Sequence, residues 1–308
     1  MTMSDPSSRL RLVVLGSAAG GGFPQWNCRC PVCSLAWSGD PRVRRRTQTS
    51  IAVSVDGERW ALVNAAPEIL SQIQAVPVLH PRVPGRCTPV VSVLLTNADI
   101  DHVAGLLSLR EAQSFSLYAT HAVHDVIAAN SVFDVLAAGV VERPRVALNT
   151  PFPLLDGLTA EIFPVPGKVA LYLERGEVDT AAEGEQTVGV EFNHGTRRIL
   201  FIPGCALMTD ALRARIDGAN VVLFDGTVWR DDEMIVAGVG SKTGKRMGHM
   251  AISGADGSMA AFEGLRVSRK VYVHLNNTNP VLVEGSPERR AVERAGWEVA
   301  EDGMELAG

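Results

Sequence analysis

The sequence predicts an α/β (α+β) fold, a layered sandwich built on two β-sheets. The amino-terminal third contains a hairpin pattern that begins one sheet, and a series of alternating segments after residue 157 indicates a second. Between them, an apolar strand pattern runs directly into a polar turn. The chain has 308 residues, which is long for one domain, but layered sandwiches of this size commonly form one body. We therefore expect a single domain over residues 1–308.

The first sheet is predicted from the segments before residue 100. Leu10–Leu15 alternates toward an apolar strand, and similar alternation covers 49–55 and 60–64. The intervening Asp56-Gly57 is typical of a tight hairpin turn. A Val- and Leu-rich run at 90–95 indicates a strand buried on both faces, and helical spacing follows from Gly105.

The second sheet is predicted from segments with period-two alternation. These segments are 158–165, 169–173, 187–192 and 198–202. We expect them to be consecutive strands.

Two later strand patterns end in side chains that can do chemistry. One ends at Asp225 and the other at His274, so both are candidates for the same cleft. A helix is predicted to begin at Gly248-His249, and the glycine- and charge-rich span 238–246 before it suits a mobile loop over the site.

The polar turn after the 90–95 strand holds four candidate metal ligands within six residues: Asn97, Asp99, Asp101 and His102. A turn at a strand end lies in a cleft, where such ligands can converge. Oxygen donors favour iron or manganese over zinc. The alternative is an Asp-rich turn that caps the next helix, with Asp101 at the cap.

Three of the five cysteines lie in the segment Cys28-Arg29-Cys30-Pro31-Val32-Cys33. This spacing is tighter than that of scattered disulfide partners, and in a reducing compartment it indicates a metal site. We predict a structural Zn2+ loop at about residues 20–40, held by Cys28, Cys30 and Cys33, with a fourth ligand from elsewhere in the chain. A redox pair within the cluster is the alternative.

Composition argues against several classes of function. The net charge is -5 and the basic residues form no extended tract, which argues against nucleic-acid binding. No run approaches the roughly 18 apolar residues of a membrane helix, so membrane insertion is not expected. The segment Met1–Pro6 lacks the pattern of a signal peptide, and we expect a cytoplasmic protein.

The polar turn resembles the His-x-His-x-Asp-His motif of metallo-β-lactamase-fold hydrolases, with Asn97 and Asp99 in place of the first two histidines. The resemblance implies a four-layer αββα sandwich in which His274 matches the last metal-ligand histidine. Two further ligands of that fold are replaced here, by Pro166-Gly167-Lys168 and Pro203-Gly204-Cys205. A full dinuclear zinc site is therefore not expected.

A wider set of motifs is similar to the coenzyme PQQ (pyrroloquinoline quinone) biosynthesis protein B family, PqqB, from end to end. These motifs cover residues 16–30, 96–102, 224–229, 248–254 and 274–280. The resemblance implies a cytoplasmic protein that acts on the tyrosine of a Glu-Tyr precursor cut from a small peptide. The implied reaction is an iron-dependent hydroxylation. An alternative role in the family is a carrier for transport of PQQ or its precursor toward the periplasm.

The oxygenase hypothesis assigns a role to each candidate residue. The ligands expected for Fe2+, or for another divalent metal, are Asp99, Asp101, His102 and His274. The catalytic candidates are His249, Asp225 and Asp99, with His249 suited to proton transfer or substrate contact. A metal-assisted hydrolase is the competing enzyme class, and the lost nitrogen ligands argue against it.

The resemblance also bears on the cysteine cluster. In relatives with this cluster the fourth zinc ligand is a histidine three residues past the strand-end histidine, and here that position is Asn277. Because asparagine is a poor zinc ligand, the fourth place falls to the Asn277 oxygen, to water or to an unidentified group. Trp26 and Trp37 flank the cluster, and we expect a homodimer that depends on this zinc.

Overall fold

The computed structural model describes residues 10–307, and the Met1–Pro6 segment considered for a signal peptide lies outside them. The strands in chain order are β1 (Arg11–Gly16), β2 (Ser50–Ser54), β3 (Trp60–Val63), β4 (Val90–Leu94), β5 (Phe115–Tyr118), β6 (Val141–Glu142), β7 (Phe152–Leu155), β8 (Leu158–Pro164), β9 (Val188–His194), β10 (Arg197–Ile202), β11 (Val221–Asp225), β12 (Arg269–Val273), β13 (Trp297–Val299) and β14 (Glu305–Ala307).

The helices are α1 (Pro31–Ser38), α2 (Ile69–Ala75), α3 (Ile100–Val103), α4 (His121–Ala128), α5 (Asp210–Ile216), α6 (Glu233–Val236), α7 (Gly244–Met247), α8 (Ser258–Ala261) and α9 (Pro287–Arg294). Turns of 3₁₀ helix cover Pro77–Leu79, Ala104–Leu109, Ser131–Val135, Leu171–Leu173 and Pro280–Leu282. No helix within residues 10–307 is both long enough and apolar enough to cross a bilayer.

The strands form two seven-stranded sheets, in the orders β14-β1-β2-β3-β4-β5-β6 and β13-β12-β11-β10-β9-β8-β7. Strands β3, β4, β5 and β6 are parallel to one another, as are β10, β11, β12 and β13. Because parallel strands end at the same edge of a sheet, the residues that follow β4, β11 and β12 can meet there.

Three buried clusters fill the layers between these elements. The central one packs the facing sides of the two sheets, as Val53 and Leu94 do against Phe201 and Val271. The other two lie on the outer faces, where helices such as α4 and α5 cover the sheets. The αββα prediction is confirmed by this layering.

The hairpin predicted in the first sheet is present, with Ile51 paired antiparallel to Val63. The strand predicted at 169–173 is wrong, because Leu171–Leu173 forms a 3₁₀ turn. Leu171 is exposed, and the Tyr172 hydroxyl donates to the Ala98 carbonyl instead of packing in a sheet. The segment thus lies across the end of the first sheet.

Two helix predictions also need correction. The helix predicted from Gly105 begins earlier, as α3, and continues as 3₁₀ helix. Gly105 itself lies so close to the Ala66 carbonyl that a side chain has no room. No helix begins at Gly248-His249. Gly248 has φ +93° and ends α7, which overlaps the end of the glycine-rich span 238–246, so His249 follows a helix end.

Candidate metal and catalytic site

A cavity of about 330 Å³ opens where the parallel strands of the two sheets end, and both expected histidines line it. His102 follows β4 on the α3 turn, and His274 directly follows β12. His249 and Asp101 line the same cavity. The structure therefore brings together candidate residues that are separated by up to 173 positions in the sequence.

Asp101, His102 and His274 converge closely enough to hold one metal ion. Their ligand atoms all lie within 4.8 Å of one another. His274 Nε2 is 3.2 Å from Asp101 Oδ2, and His102 Nε2 is 3.7 Å from the same oxygen. His102 Nε2 is buried and has no hydrogen-bond partner among residues 10–307. A buried nitrogen lone pair of this kind fits a metal ligand.

Asn97 orients His102 instead of joining the cluster. Its Oδ1 lies 2.7 Å from His102 Nδ1, and an amide oxygen only accepts, so Nδ1 carries the proton. The nitrogen lone pair of the His102 ring therefore lies on Nε2. The sequence motif indicated Asn97 as a potential ligand, and its contact with His102 was not predicted.

The electrostatics of the cluster follow from burial and from Asp101. Burial lowers the pKa of His102, which favours the neutral imidazole that ligates metals. Burial alone would raise the pKa of Asp101, but the charges of His102 and His274 and a hydrogen bond from His274 hold it well below its usual range. Burial opposes protonation of His274, but the Asp101 hydrogen bond and charge outweigh it and raise the pKa of His274.

Asp225 and His249 form a second group beside the first. Asp225 is fully buried, and its Oδ2 lies 2.7 Å from His249 Nδ1 and accepts the Cys205 amide at 2.9 Å. The His249 and His274 rings stack with centroids 5.1 Å apart. The ligand atoms of Asp225, His249 and His274 also lie within 4.8 Å of one another. His249 can therefore act beside a metal or as a further ligand.

Thr227 connects the two groups and was not predicted. Its hydroxyl donates to Asp225 Oδ1 at 2.6 Å, the shortest of its contacts. Because that donation uses its only proton, Thr227 Oγ1 must accept from His274 Nδ1, 2.9 Å away. His274 is thereby held with Nε2 toward Asp101. The only sequence signal for this role is the position of Thr227, two residues after the strand-end carboxylate Asp225.

Asp99 lies in the cavity wall but outside the convergent ligand group. Its Oδ1 accepts from the Leu171 amide at 3.3 Å. Asp99 occupies the N-cap position of α3 without a side-chain cap bond, and Asp101 lies inside that helix. The capping alternative, which placed Asp101 at the cap, is therefore wrong.

The cysteine cluster lies apart from the cavity lining and is buried. The Sγ atoms of Cys28, Cys30 and Cys33 lie within 4.8 Å of one another, and each cysteine is a free thiol. Asn277 Nδ2 is 3.2 Å from Cys28 Sγ and 3.3 Å from Cys33 Sγ. Rotating the amide by half a turn would place its oxygen at that point. The residues therefore fit a zinc ion with Asn277 in the fourth position.

The segment 274–277 contributes a residue to the histidine group in the cavity and another to the cysteine cluster. His274 has φ +60°, a left-handed conformation that is uncommon outside glycine. The chain after it is held by the Leu275 amide on the Ser17 carbonyl and the Asn276 amide on the Thr227 carbonyl. Asn277 then reaches the thiols three residues later.

Comparison with known proteins places this geometry in a family. A family model described as "Beta-lactamase superfamily domain" matches residues 59–275. "Coenzyme PQQ synthesis protein B" of Methylobacterium nodulans is 57% identical over 297 residues, covering 96% of this chain and 99% of that protein. The protein of the same name from Xanthomonas campestris pv. campestris is 54% identical over 299 residues, covering 97% of this chain and 100% of that protein.

Solved structures agree with the sequence relatives. The crystal structure of Zn(2+)-bound PqqB from Methylobacterium extorquens matches with a TM-score of 0.95 and 57% identity, covering 96% of this chain and 99% of that one. A diphosphatase from the PhnP family matches with a TM-score of 0.69 at 21% identity, over 97% of each chain, which shows a common fold. The resemblance predicted from the motifs is thus confirmed, and the chain belongs to the coenzyme PQQ synthesis protein B family of the β-lactamase superfamily.

Proposed function

We propose that this protein acts in PQQ biosynthesis as an iron-dependent hydroxylase of the tyrosine ring in a Glu-Tyr precursor. Membership of the PQQ synthesis protein B family supports the pathway. The arrangement of Asp101, His102 and His274 supports the chemistry, because two imidazoles and one carboxylate facing a cavity are the ligand set of non-haem iron oxygenases.

The observation that carries the proposal is the orientation of both histidines. Asn97 and Thr227 hold the Nδ1 atoms of His102 and His274, so that both Nε2 atoms turn toward Asp101. Bound there, iron would supply the activation of dioxygen that hydroxylation of a phenol ring requires. One oxygen atom would replace a ring hydrogen and the other would leave as water, with two electrons from an external small-molecule reductant. The protein supplies the position of the ion and a cavity of about 330 Å³ for the substrate ring.

His249 is proposed as the residue that takes the phenolic proton. Asp225 holds its Nδ1, which leaves Nε2 as the ring nitrogen available in the cavity. Asp225 acts by positioning His249. Asp99, in the cavity wall near the Leu171 amide, is proposed as a polar contact for substrate, since its carboxylate lies outside the convergent group.

The cysteine cluster is proposed as a structural zinc site in a cytoplasmic homodimer. Thiolates of Cys28, Cys30 and Cys33 with Asn277 would saturate the ion and leave no position for substrate. Trp26 beside the cluster is 82% exposed, which suits burial against a second copy of the chain.

The test is anaerobic reconstitution with Fe2+ followed by addition of oxygen, a small-molecule reductant such as ascorbate, and Glu-Tyr, with the product read by mass spectrometry. We expect insertion of oxygen atoms into the dipeptide by the wild type and none by Asp101→Asn. His121→Ala is the matched control, because His121 is exposed and outside the cavity lining. An unchanged dipeptide, together with measurable binding of PQQ, would instead support a carrier.

A further inference from the structure

Glu174 is surrounded by three basic side chains at the edge of the cavity. Its carboxylate lies 3.0 Å from Lys168 Nζ, 2.9 Å from Arg246 Nη2 and 3.7 Å from Lys242 Nζ. The Glu174 side chain is only 12% exposed. The hydrogen bond from Arg246 lowers the pKa of Glu174 to about 2, so the carboxylate is ionised. One negative charge is thus matched by three positive ones.

The surplus positive charge faces the candidate active site. Lys168 and Lys242 line the same cavity as His102, His249 and His274. The Lys168 side chain is only 11% exposed. Arg246 Nη1 is buried without a hydrogen-bond partner among residues 10–307. The cluster therefore retains unused capacity to bind an anion.

The contacts of Glu174 join two segments at the edge of the cavity. Glu174 follows the Leu171–Leu173 turn, which is tied to the first sheet by Tyr172 and by Asp99. Lys242 and Arg246 belong to a second segment, around α7, which also contributes to the cavity lining. An ion pair between such segments can be exchanged for a ligand without disturbing the core.

We propose that Lys168, Lys242 and Arg246 form a carboxylate-binding subsite, which the side chain of Glu174 fills in the free protein. The inference rests on the proposed function and specifies its substrate class: a small acid whose carboxylate is separated from a phenol ring. A Glu-Tyr dipeptide meets this description with its glutamate side chain and its carboxyl terminus. Its carboxylate would replace Glu174 on the basic side chains while the phenol lies near His249 and the metal ligands.

The test measures binding of Glu-Tyr by equilibrium dialysis under anaerobic conditions, independently of turnover. We expect Lys242→Gln and Arg246→Gln each to weaken binding about tenfold, the loss of one charge-assisted hydrogen bond. Glu174→Gln should tighten binding, because no internal carboxylate then competes. Lys245→Gln is the matched control, since Lys245 lies in the same helix but is exposed and forms no ion pair with Glu174 among the contacts of residues 10–307.

Dipeptide analogues show which carboxylate is bound. Gln-Tyr lacks the side-chain carboxylate, and Glu-Tyr amide lacks the terminal one. The effect of Lys242→Gln should disappear for the analogue that lacks the bound group, as in a double-mutant cycle.

The outcomes separate this proposal from hydroxylation. If the dissociation constants change as expected but no oxygen is inserted, the subsite stands and the hydroxylase proposal fails. If turnover occurs but the Lys242, Arg246 and Lys245 variants all bind Glu-Tyr like the wild type, the subsite is refuted alone. Absence of any Glu-Tyr binding to the wild type, or weaker binding by Glu174→Gln, also overturns the subsite.

Discussion

His249 Nδ1 lies 2.7 Å from Oδ2 of the fully buried Asp225, so one carboxylate fixes the orientation of a cavity imidazole. The Cys205 and Thr227 amides hold that carboxylate in turn. This chain of contacts gives His249 a defined tautomer, with Nδ1 protonated and Nε2 free to accept a proton.

His249→Ala should therefore reduce turnover of Glu-Tyr more than it reduces metal affinity. We expect kcat to fall by about 10²- to 10⁴-fold, the range for loss of a general base. Asp225→Asn should lower kcat in the same direction, because an amide has one acceptor oxygen where the carboxylate has two, and the His249 tautomer is then no longer fixed. Measuring iron content together with kcat distinguishes proton transfer from metal ligation. Parallel loss of both quantities would identify His249 as a metal ligand.

His102→Ala should abolish metal binding in the cavity while the protein remains folded. His102 is buried, but its Nε2 has no hydrogen bond to lose within residues 10–307. The variant loses contacts of the ring with Asn97 and Thr96 and its approach to Asp101 and His274. We expect the free energy of unfolding to fall by about 1–2 kcal/mol. Titration with Fe2+ tests the loss of metal binding and circular dichroism tests whether the variant is folded, with His121→Ala as control. Unfolding of the variant would indicate a structural histidine.

Cys30→Ser should remove the proposed structural zinc and dissociate the proposed homodimer. Cys30 is the N-cap of α1, and its Sγ is one of three buried sulfurs. Metal analysis and light scattering on the variant check the two effects. Cys87→Ser serves as control, since Cys87 lies outside the cluster. One zinc per chain and an intact dimer in Cys30→Ser would contradict both the assignment and its link to assembly.

Asn277→His should strengthen zinc binding at the cysteine cluster. Asn277 Nδ2 already lies 3.2–3.8 Å from all three sulfurs, and imidazole nitrogen is a better zinc ligand than an amide oxygen. Competition with a chelator measures the effect. An unchanged zinc affinity would mean that the fourth ligand is another group.

Stability should fall as the pH rises from about 4.5 to about 7 because of Glu233. Burial raises the pKa of Glu233 to about 7, while hydrogen bonds such as that from Thr278 only partly offset it. The folded state then holds a proton that the unfolded chain releases from its ordinary value of 4.5 upward. The favourable contribution is complete below pH 4.5 and is lost between there and about 7, at a cost of about 3 kcal/mol.

The measurement for Glu233 is urea unfolding between pH 5 and 8. Glu233→Gln should be less pH-dependent than the wild type over this range, and relatively more stable at pH 8 than at pH 5. Parallel curves for the two proteins would show that Glu233 does not carry the effect.

The strands and the chemistry at their ends could be predicted from the sequence, because burial and periodicity are local properties. Asp225 and His274 were found in this way. The contacts of Thr227 with both could not be predicted, since they depend on the register between β11 and β12. The helix predicted to begin at Gly248-His249 was wrong because a glycine can either precede a helix or end one. Here the left-handed Gly248 ends α7.

His274 lines the cavity, and Asn277, three residues later, contacts the cysteine cluster. One short stretch of hydrogen-bonded backbone therefore connects the two sites. An ion in the cysteine cluster would fix Asn277 and, through it, help to hold His274 in its left-handed conformation. The affinities of the two ions would then be thermodynamically linked, each strengthening the other by an equal factor. Chelation at the thiols would in that case weaken iron binding in a cavity whose own residues are unchanged.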